Sequence, residues 1–338
     1  MARITRRKFV GMGAGLALAT SAASYAQEAR PAASFPRPSR AARALMRGAL
    51  DIHTHLDPDS FGPHSNQAAR ALDAIDMARR ARSARMRGFV IKQHYDQTAH
   101  LAYLVRKEVP DVEVFGMLCS NHTVGGLNPE AVHHFAEVIG GHARIVSMPT
   151  WDSENYVRQS RNPTRAPVPV SRDGVLLRET IALIEAVARA QIRDSSAKLA
   201  LATGHVSAEE ALLVIREGRR QGIDRIVVTH AIGTPINMSL AQMKEAAQLG
   251  AYIEFVANFL SGERASFTVQ QYFDAIREIG SAHVILSSDG GQINRPFPDD
   301  LIAQAAYQLH ELGLSGAELR AMMVVNPATL LSLPQRPG

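Results

Sequence analysis

The sequence has 338 residues, of which 46% are hydrophobic and 20% are charged, which is enough for one large domain or two ordinary ones with a buried core. Its formal net charge is +5, but the first 26 residues hold four basic side chains and no acidic one, so the remainder carries only +5 − 4 = +1. This distribution argues against binding to nucleic acid or another polyanion.

The first 26 residues resemble a twin-arginine export signal. Thr-Arg-Arg-Lys-Phe at 5–9 precedes a weakly apolar segment at 10–24, and small residues at Ser24 and Ala26 suit cleavage after Ala26. The apolar segment is shorter than the roughly 20 residues that a membrane-spanning helix needs. We therefore predict a cleaved signal peptide over 1–26, export by the twin-arginine machinery, a periplasmic or secreted location and no stable membrane anchor.

The segment that follows is rich in Ala, Pro, Arg and Ser. Residues 27–46 are therefore predicted to form a flexible linker or a partly ordered arm, and residues 47–334 a single domain. Cys119 is the only cysteine, so an intrachain disulfide is excluded.

From Leu50 onward, apolar runs typical of β-strands alternate with helical patterns. Most runs are continuous, as in parallel strands covered by helices. Eight strands are predicted, at 50–56, 88–94, 112–118, 143–149, 198–204, 225–230, 251–257 and 283–288. Eight βα units favour an α/β fold, the (β/α)8 TIM barrel. A doubly wound open sheet is the alternative, because a strand count does not show closure, although no Gly-x-Gly-x-x-Gly follows a strand.

Local signals place several helix ends. Capping-box spacing at 207–210, 239–242 and 315–318 predicts three helix starts. Gly222 and Gly250 stand where a left-handed helix terminus is favoured.

The longest connection between predicted elements runs from 150 to 173, after strand four. It contains Trp151, the only tryptophan, and three prolines. After a barrel strand, such a loop overhangs the carboxyl-terminal face, where barrel active sites lie. We interpret it as a lid or a substrate-specificity loop, with contacts in an oligomer as the alternative.

Polar side chains stand at the ends of several predicted strands. His53 and His55 are two residues apart on strand one and therefore face the same way, so they can bind one metal ion or two neighbouring ions. In a closed barrel all strand ends meet at one mouth. Each such residue alone has a structural explanation, as a buried histidine or a helix cap, but together they predict a metal site. The residues are His53, His55, Lys92, His94, His205, His230 and Asp289.

This pattern resembles the amidohydrolase superfamily, which has His-x-His on strand one, one histidine each on strands five and six, and an aspartate on strand eight. Asn326-Pro327-Ala328 is similar to the tail common there. The resemblance implies a metal-dependent hydrolase with one or two divalent ions, zinc above all. The Gly-His…Thr-His pairing over 204–230 is most similar to a branch of uncharacterised function, so no substrate follows from it.

One departure concerns the bridging ligand of binuclear members, which is usually a carboxylated lysine or a glutamate on strand four. Strand four has no lysine here, and Lys92 on strand two is the lysine placed at a strand end. A carboxylated Lys92 would supply a bridging anion. The alternative is a mononuclear site with Lys92 as a contact for a substrate carboxylate.

The expected chemistry assigns a role to each group. A divalent ion lowers the pKa of bound water toward ~7. Asp289 would accept the proton of that water and pass it on, and His205 would help to polarise the scissile carbonyl. Candidate substrate contacts or partners that orient the ligands are His94, His122, Trp151, Glu254 and Arg295.

Three functions remain open at this level. The favoured one is hydrolysis of an amide, imide, lactone or ester of a small molecule. The alternatives are a metal-dependent decarboxylase or other lyase on the same barrel, and a non-catalytic periplasmic binding protein. A homo-oligomer also remains open.

Overall fold

The computed structural model describes residues 35–60, 69–160, 165–261 and 265–336. The predicted export signal at 1–26 and the first part of the predicted linker, 27–34, lie outside the described residues. The described residues fall within one unit, Pro31–Gly338. Within the described ranges, none of the helices combines the length and the apolarity that crossing a membrane requires.

All eight predicted strands are present, each within about three residues of its expected ends. They form one parallel sheet in which every strand neighbours the next along the chain. Their bounds are β1 Leu50–Thr54, β2 Gly88–Ile91, β3 Glu113–Cys119, β4 Ala143–Ser147, β5 Ala200–Ala202, β6 Ile226–Val228, β7 Tyr252–Val256 and β8 Val284–Ser287.

The sheet closes into a barrel at the seam between β1 and β8. Thr54 bridges Gly290 in parallel register, and the His55 amide donates to the Gly290 carbonyl oxygen at 2.8 Å. Side chains supply the rest of the seam, because the Ser288 amide donates to Asp51 Oδ1 at 3.0 Å and Ser288 Oγ donates to the His53 carbonyl oxygen at 2.9 Å. The closed (β/α)8 barrel is thereby confirmed, and the open sheet is excluded.

Helices follow the strands and cover the outside of the barrel. A short antiparallel ribbon, Ser171–Arg172 with Val175–Leu176, lies between β4 and β5. The α-helices of the described ranges are α1 Arg40–Ala44, α2 Ala74–Ser83, α3 Ala99–Glu108, α4 Pro129–Ala136, α5 Glu154–Ser160, α6 Arg178–Arg189, α7 Ala208–Arg220, α8 Leu240–Gln248, α9 Val269–Ile279, α10 Pro298–Glu311, α11 Gly316–Arg320 and α12 Asn326–Leu330.

The apolar core has two parts that follow from this architecture. One lies between the sheet and the helices, and the other fills the barrel interior. The interior part includes Ile52, Phe115 and Ile285 from strands together with Leu330 and Leu331 from the C-terminal segment. Helix α12 and its neighbours therefore plug the amino-terminal end of the barrel, and the opposite end is left for polar side chains.

Predicted local signals agree with the structure. Capping boxes begin α7, α8 and α11 at Ser207, Ser239 and Ser315. Gly222 and Gly250 have φ of 86° and 88° after α7 and α8. A fourth capping box, Thr268 with Gln271, begins α9 and has the same sequence spacing.

The described part of the predicted linker or arm packs against the barrel. It contains α1, in which Ala42 is buried, and Arg43 pairs with Asp300 at 2.7 Å on α10. Gln304 of α10 also donates to the Pro36 carbonyl oxygen at 2.6 Å.

His142, which precedes β4, gives a testable dependence of stability on pH. Burial, with the nearby charges of Arg106 and Arg144, lowers the pKa of His142 from 6.5 to about 4. As pH falls, the unfolded chain therefore binds a proton before the native state does, and stability is lost between about pH 6.5 and pH 4. We expect His142→Gln to reduce that loss by about 2 kcal/mol, measured by urea denaturation at pH 7.5 and pH 4.5. An unchanged loss in the variant would contradict this origin.

Candidate metal centre

Five imidazole rings form a closed circuit at the carboxyl-terminal mouth of the barrel. Neighbouring rings in this circuit have centroids between 5.0 and 5.9 Å apart. The five side chains come from the ends of four strands, and all are buried. In order around the circuit they are His53, His55, His94, His205 and His230.

Asp289, which follows β8, brings a carboxylate to two of these rings. Its Oδ1 lies 3.1 Å from His53 Nε2 and 3.1 Å from His55 Nε2. The ligand atoms of these three residues all lie within 4.8 Å of one another. Two imidazole nitrogens and a carboxylate oxygen form a donor set that suits zinc and similar divalent cations.

His205 and His230 form a second pair on the other side of the circuit. Their Nε2 atoms face each other at 3.2 Å. Among the described residues, the Nδ1 atoms of both rings are buried without a hydrogen-bond partner. Two Nε2 atoms that converge in this way offer a second place where a cation fits.

Lys92 lies at the end of β2, next to this donor set. Its Nζ is 2.9 Å from His53 Nε2, and its side chain is only 1% exposed. Within the described ranges, no carboxylate lies within ion-pair distance of Nζ. A buried ammonium without an anionic partner is costly, and carboxylation would replace that positive charge with a negative one.

Glu254 on β7 contacts His53 at Nδ1, the ring nitrogen on the side away from Asp289. Its carboxylate lies 3.1 and 3.3 Å from His53 Nδ1 and accepts the His230 amide at 2.8 Å and Ser287 Oγ at 2.6 Å. The Nδ1 contact leaves His53 Nε2 directed at Asp289 and Lys92. Of the two roles considered for Glu254, substrate contact and orienting partner, its placement corresponds to the second.

The backbone at these strand ends is under strain. His230 and Asp289 have φ of 24° and 47°, a region that residues other than glycine rarely adopt. Such residues cost about 1–3 kcal/mol each and cluster at functional sites. Gly204, with φ of 63°, precedes His205 where any Cβ would lie 2.3 Å from the Met148 carbonyl oxygen. Glycine is therefore required for the turn that directs His205 into the mouth.

Two carboxylates stabilise the protonated form of His53. Burial and the charge of Lys92 oppose protonation, but Asp289 and Glu254 outweigh them and raise the pKa of His53 to about 9. Burial would by itself raise the pKa of both acids. The charge and hydrogen bonds of His53, with His55 assisting at Asp289, instead hold the pKa of Asp289 well below its usual range and lower that of Glu254 to about 2.

The other four rings are neutral at pH 7. Burial lowers the pKa of His55 to about 3 with help from the charge of Arg70, and lowers that of His230 to about 4. The pKa values of His94 and His205 also lie well below 6.5, because burial is reinforced by the neighbouring histidines and Lys92. Neutral imidazole is the form that binds metal.

The loop after β4 adds an aromatic wall to the mouth. Trp151 lies 4.8 Å from the His94 ring and stacks on Tyr156 at 5.5 Å, and Tyr156 in turn lies 5.7 Å from His205. This loop is the one interpreted as a lid or specificity loop, of which 161–164 lie outside the described residues. Phe259, after β7, contacts His230 from the opposite side at 5.7 Å.

Asn121, after β3, anchors the loop and was not selected from the sequence. Its side chain donates to the His94 carbonyl oxygen and to Thr150 Oγ1, and accepts the amides of Thr150 and Asp152. Thr150 Oγ1 then contacts His94 Nδ1 at 2.9 Å. In the sequence, Asn121 stands just after a predicted strand, which marks it as a residue at the mouth, but the prediction named its neighbour His122 instead.

Two predicted contact residues take part in other interactions. His122 is exposed, and its Nε2 contacts the Ala166 carbonyl oxygen at 2.9 Å. Arg295 donates to the Ser261 carbonyl oxygen. Neither is brought into the imidazole circuit by the contacts of the described residues, and their binding of substrate stays a prediction.

The contact between the Glu254 carboxylate and His53 Nδ1 gives a prediction about metal affinity. Glu254→Gln keeps the shape of the side chain but removes the charge that orients His53. We expect the affinity for zinc to fall by about 10–100-fold, measured by competition with a chromophoric chelator. Ser287→Ala, which removes a single hydrogen bond to the same carboxylate, is the control and should cost much less. Equal affinities in Glu254→Gln and the unaltered chain would contradict this role.

The fold and the mouth together define a (β/α)8 barrel whose carboxyl-terminal face carries imidazole and carboxylate groups. The model of a family of unknown function, DUF6282, matches residues 48–254, and the chain belongs to this family. The matched range includes all of the imidazole circuit and Glu254 but ends before Asp289. Among curated proteins no match was found.

Solved structures share the fold at low sequence identity. A β-aspartyl dipeptidase from Fervidobacterium islandicum AW-1 has a TM-score of 0.58 at 16% identity, covering 85% of this chain and 73% of that chain. A double mutant of the organophosphorus hydrolase from Deinococcus radiodurans has 0.56 at 15%, covering 88% and 98%. A lactonase from Listeria monocytogenes has 0.52 at 15%, covering 86% and 97%. The barrel implied by the amidohydrolase resemblance is confirmed by this likeness.

Proposed function

We propose that the chain is a metal-dependent hydrolase that acts on an amide, imide, lactone or ester bond of a small molecule. The observation that carries the proposal is the convergence of His53, His55 and Asp289 on one point at the mouth of the barrel. A structural histidine needs one hydrogen-bond partner, whereas here three potential metal-ligand atoms from two strand ends face one another. The names of the three solved structures, a lactonase, a dipeptidase and an organophosphorus hydrolase, support hydrolysis as the reaction type.

The residues at the mouth fit one or two divalent ions, with zinc the best match to the donor set. His53, His55 and Asp289 would hold one ion, and His205 with His230 the other. A carboxylated Lys92, whose Nζ lies 2.9 Å from His53 Nε2, would contribute an anion to the site. Carboxylation requires the ammonium first to lose a proton; the amine then forms an N–C bond to carbon dioxide with release of a second proton, so that a carbamate anion replaces the positive charge at Nζ.

A divalent ion bound there would lower the pKa of a bound water molecule toward ~7 and would polarise a carbonyl oxygen. Asp289, whose low pKa keeps it ionised, would accept the proton of the attacking water and pass it to the leaving group. His205, neutral and buried, would help to polarise the substrate carbonyl. The rings of Trp151 and Tyr156 would cover the substrate and limit access of bulk water.

Export also belongs to the proposal. The twin-arginine motif at 5–9 and the small residues before position 27 support translocation of a folded protein to the periplasm. Metal could then be loaded in the cytoplasm before export.

Turnover assays with metal-loaded protein test the reaction type. A panel of a γ-lactone, an aryl ester, a dipeptide and a cyclic imide should include substrates hydrolysed at rates that fall after dialysis against a chelator and return with zinc. Release of carbon dioxide from aromatic carboxylic acids, with no hydrolysis in the panel, would favour the decarboxylase instead. Tight metal binding with no turnover of any kind would contradict an enzyme.

A further inference from the structure

A cavity of about 430 Å³ lies at the end of the barrel opposite the imidazole circuit. Its walls come from the segments that enter β1 and β2 and from the C-terminal segment, so it faces away from the mouth. The volume is in the range of small-molecule sites. Five of its lining residues are arginines, and we name it the arginine pocket: Arg47, Arg85, Arg87, Arg320 and Arg336.

The positive charge of the arginine pocket is poorly balanced within the protein. Glu113 pairs with Arg87 at 3.0 Å and also with Arg336. Among the described residues, no carboxylate lies within ion-pair distance of Arg47, Arg85 or Arg320. Counting only the described residues, five positive charges and one negative charge leave 5 − 1 = +4 around this cavity. The concentration is local, because the chain beyond its first 26 residues is nearly neutral.

The backbone at Arg85 supplies an independent observation. After α7, α8 and α10, an amide donates to the carbonyl five residues earlier, and the residue in the left-handed position is Gly222, Gly250 or Gly313. Helix α2 ends with the same bond, from the Met86 amide to the Ala81 carbonyl oxygen at 2.9 Å, but Arg85 occupies the left-handed position with φ of 57°. An L-residue there costs about 1 kcal/mol relative to glycine. Arg85 therefore keeps a strained backbone conformation at a position from which its side chain lines the cavity.

The C-terminal wall of the pocket is also irregular. Arg320 ends α11 and is followed by a π-helical turn, Ala321–Val325, whose Val324 lines the cavity. Turns of π-helix are rare and occur frequently at functional sites. The Arg320 guanidinium donates to the Arg336 carbonyl oxygen at 3.0 Å, which ties the two arginines of this segment together.

We propose that the arginine pocket binds an oxyanion with two negative charges, that is, inorganic phosphate or the phosphoryl group of a phosphate monoester. Guanidinium groups bind such oxyanions through paired N–H donors, and a divalent anion offsets repulsion among the arginines. Arg47 and Arg85 are exposed and supply the charges that the protein leaves without a carboxylate partner. The site is separate from the imidazole circuit and does not depend on the proposed hydrolase activity.

Calorimetric titration of the metal-loaded full chain with inorganic phosphate, and separately with methyl phosphate, tests this proposal at constant ionic strength. We expect binding to the unaltered chain and a phosphate-dependent rise of several degrees in Tm. The double variant Arg47→Gln, Arg85→Gln should bind phosphate at least tenfold more weakly. Without phosphate, the double variant should melt as the unaltered chain does, because both altered side chains are exposed. A tenfold preference for phosphate or for its ester identifies the source of the ligand.

The matched control is Arg82→Gln, which removes an exposed arginine from the last turn of α2, outside the pocket. It should bind phosphate within twofold of the unaltered chain. Absence of phosphate binding by the unaltered chain, equal affinity in the double variant, or an equal loss in Arg82→Gln would overturn the proposal.

Discussion

Asp289→Asn should lower kcat/KM at least 10³-fold on any substrate that the chain hydrolyses. The change keeps the shape of the side chain but removes the negative charge that contacts His53 and His55 at 3.1 Å each. It therefore removes one metal ligand and the group that accepts the proton of the attacking water, and a general base alone contributes about 10²–10⁴-fold. The effect should be on kcat more than on KM, because proton transfer belongs to the transition state.

Steady-state kinetics on metal-saturated protein check this result. The control is Asp299→Asn, since Asp299 is also a buried carboxylate but pairs with Arg80 on α2, outside the mouth. The control should keep activity within about threefold even if its Tm falls. Activity of Asp289→Asn within tenfold of the unaltered chain would exclude Asp289 as the base.

Lys92→Ala should reduce the metal content from two ions per chain to one or fewer and lower kcat at least 10²-fold. The reason is the position of Nζ, which lies 2.9 Å from a ligand nitrogen and has no carboxylate partner among the described residues. A positive charge there opposes a cation at the same nitrogen. A carbamate replaces that repulsion with attraction.

Lys92→Arg separates the two interpretations of this residue. Arginine keeps a positive charge for a substrate carboxylate but does not become carboxylated at neutral pH. If Lys92 is carboxylated, both variants lose an ion, and millimolar acetate, a small carboxylate that fits the vacated space, should restore part of the activity of Lys92→Ala. Unchanged metal content in Lys92→Ala with activity retained in Lys92→Arg would assign Lys92 to substrate binding.

The strands of this fold were readable from the sequence, whereas the closure of the barrel was not. Continuous apolar runs mark parallel strands that are buried on both faces, and all eight are found where they were predicted. Closure depends on Asp51, Ser288 and Gly290, which join β1 to β8 largely through side chains and one backbone bridge. No periodicity carries that information, since the seam pairs residues more than 230 positions apart.

The members of the imidazole circuit were also identifiable, because strand ends of a barrel meet at one mouth whatever their separation along the chain. Their supporting groups were harder to find. Glu254 was considered as a substrate contact or an orienting partner, and only the three-dimensional packing of β7 beside β8 places it behind His53. Asn121 acts through loop geometry, and the arginine pocket gathers residues from 47 to 336, of which only Arg85 and Arg87 lie together in a basic stretch of the sequence.

The measurement that tests the central claim most directly is the number of divalent ions per chain, determined by elemental analysis of the protein produced with zinc and bicarbonate. The metal centre described above predicts about two ions, removed by a chelator together with the activity and restored by zinc. One ion, unchanged in Lys92→Ala, would retain the hydrolase with a mononuclear site at His53, His55 and Asp289. No bound ion would contradict the metal-dependent hydrolase itself.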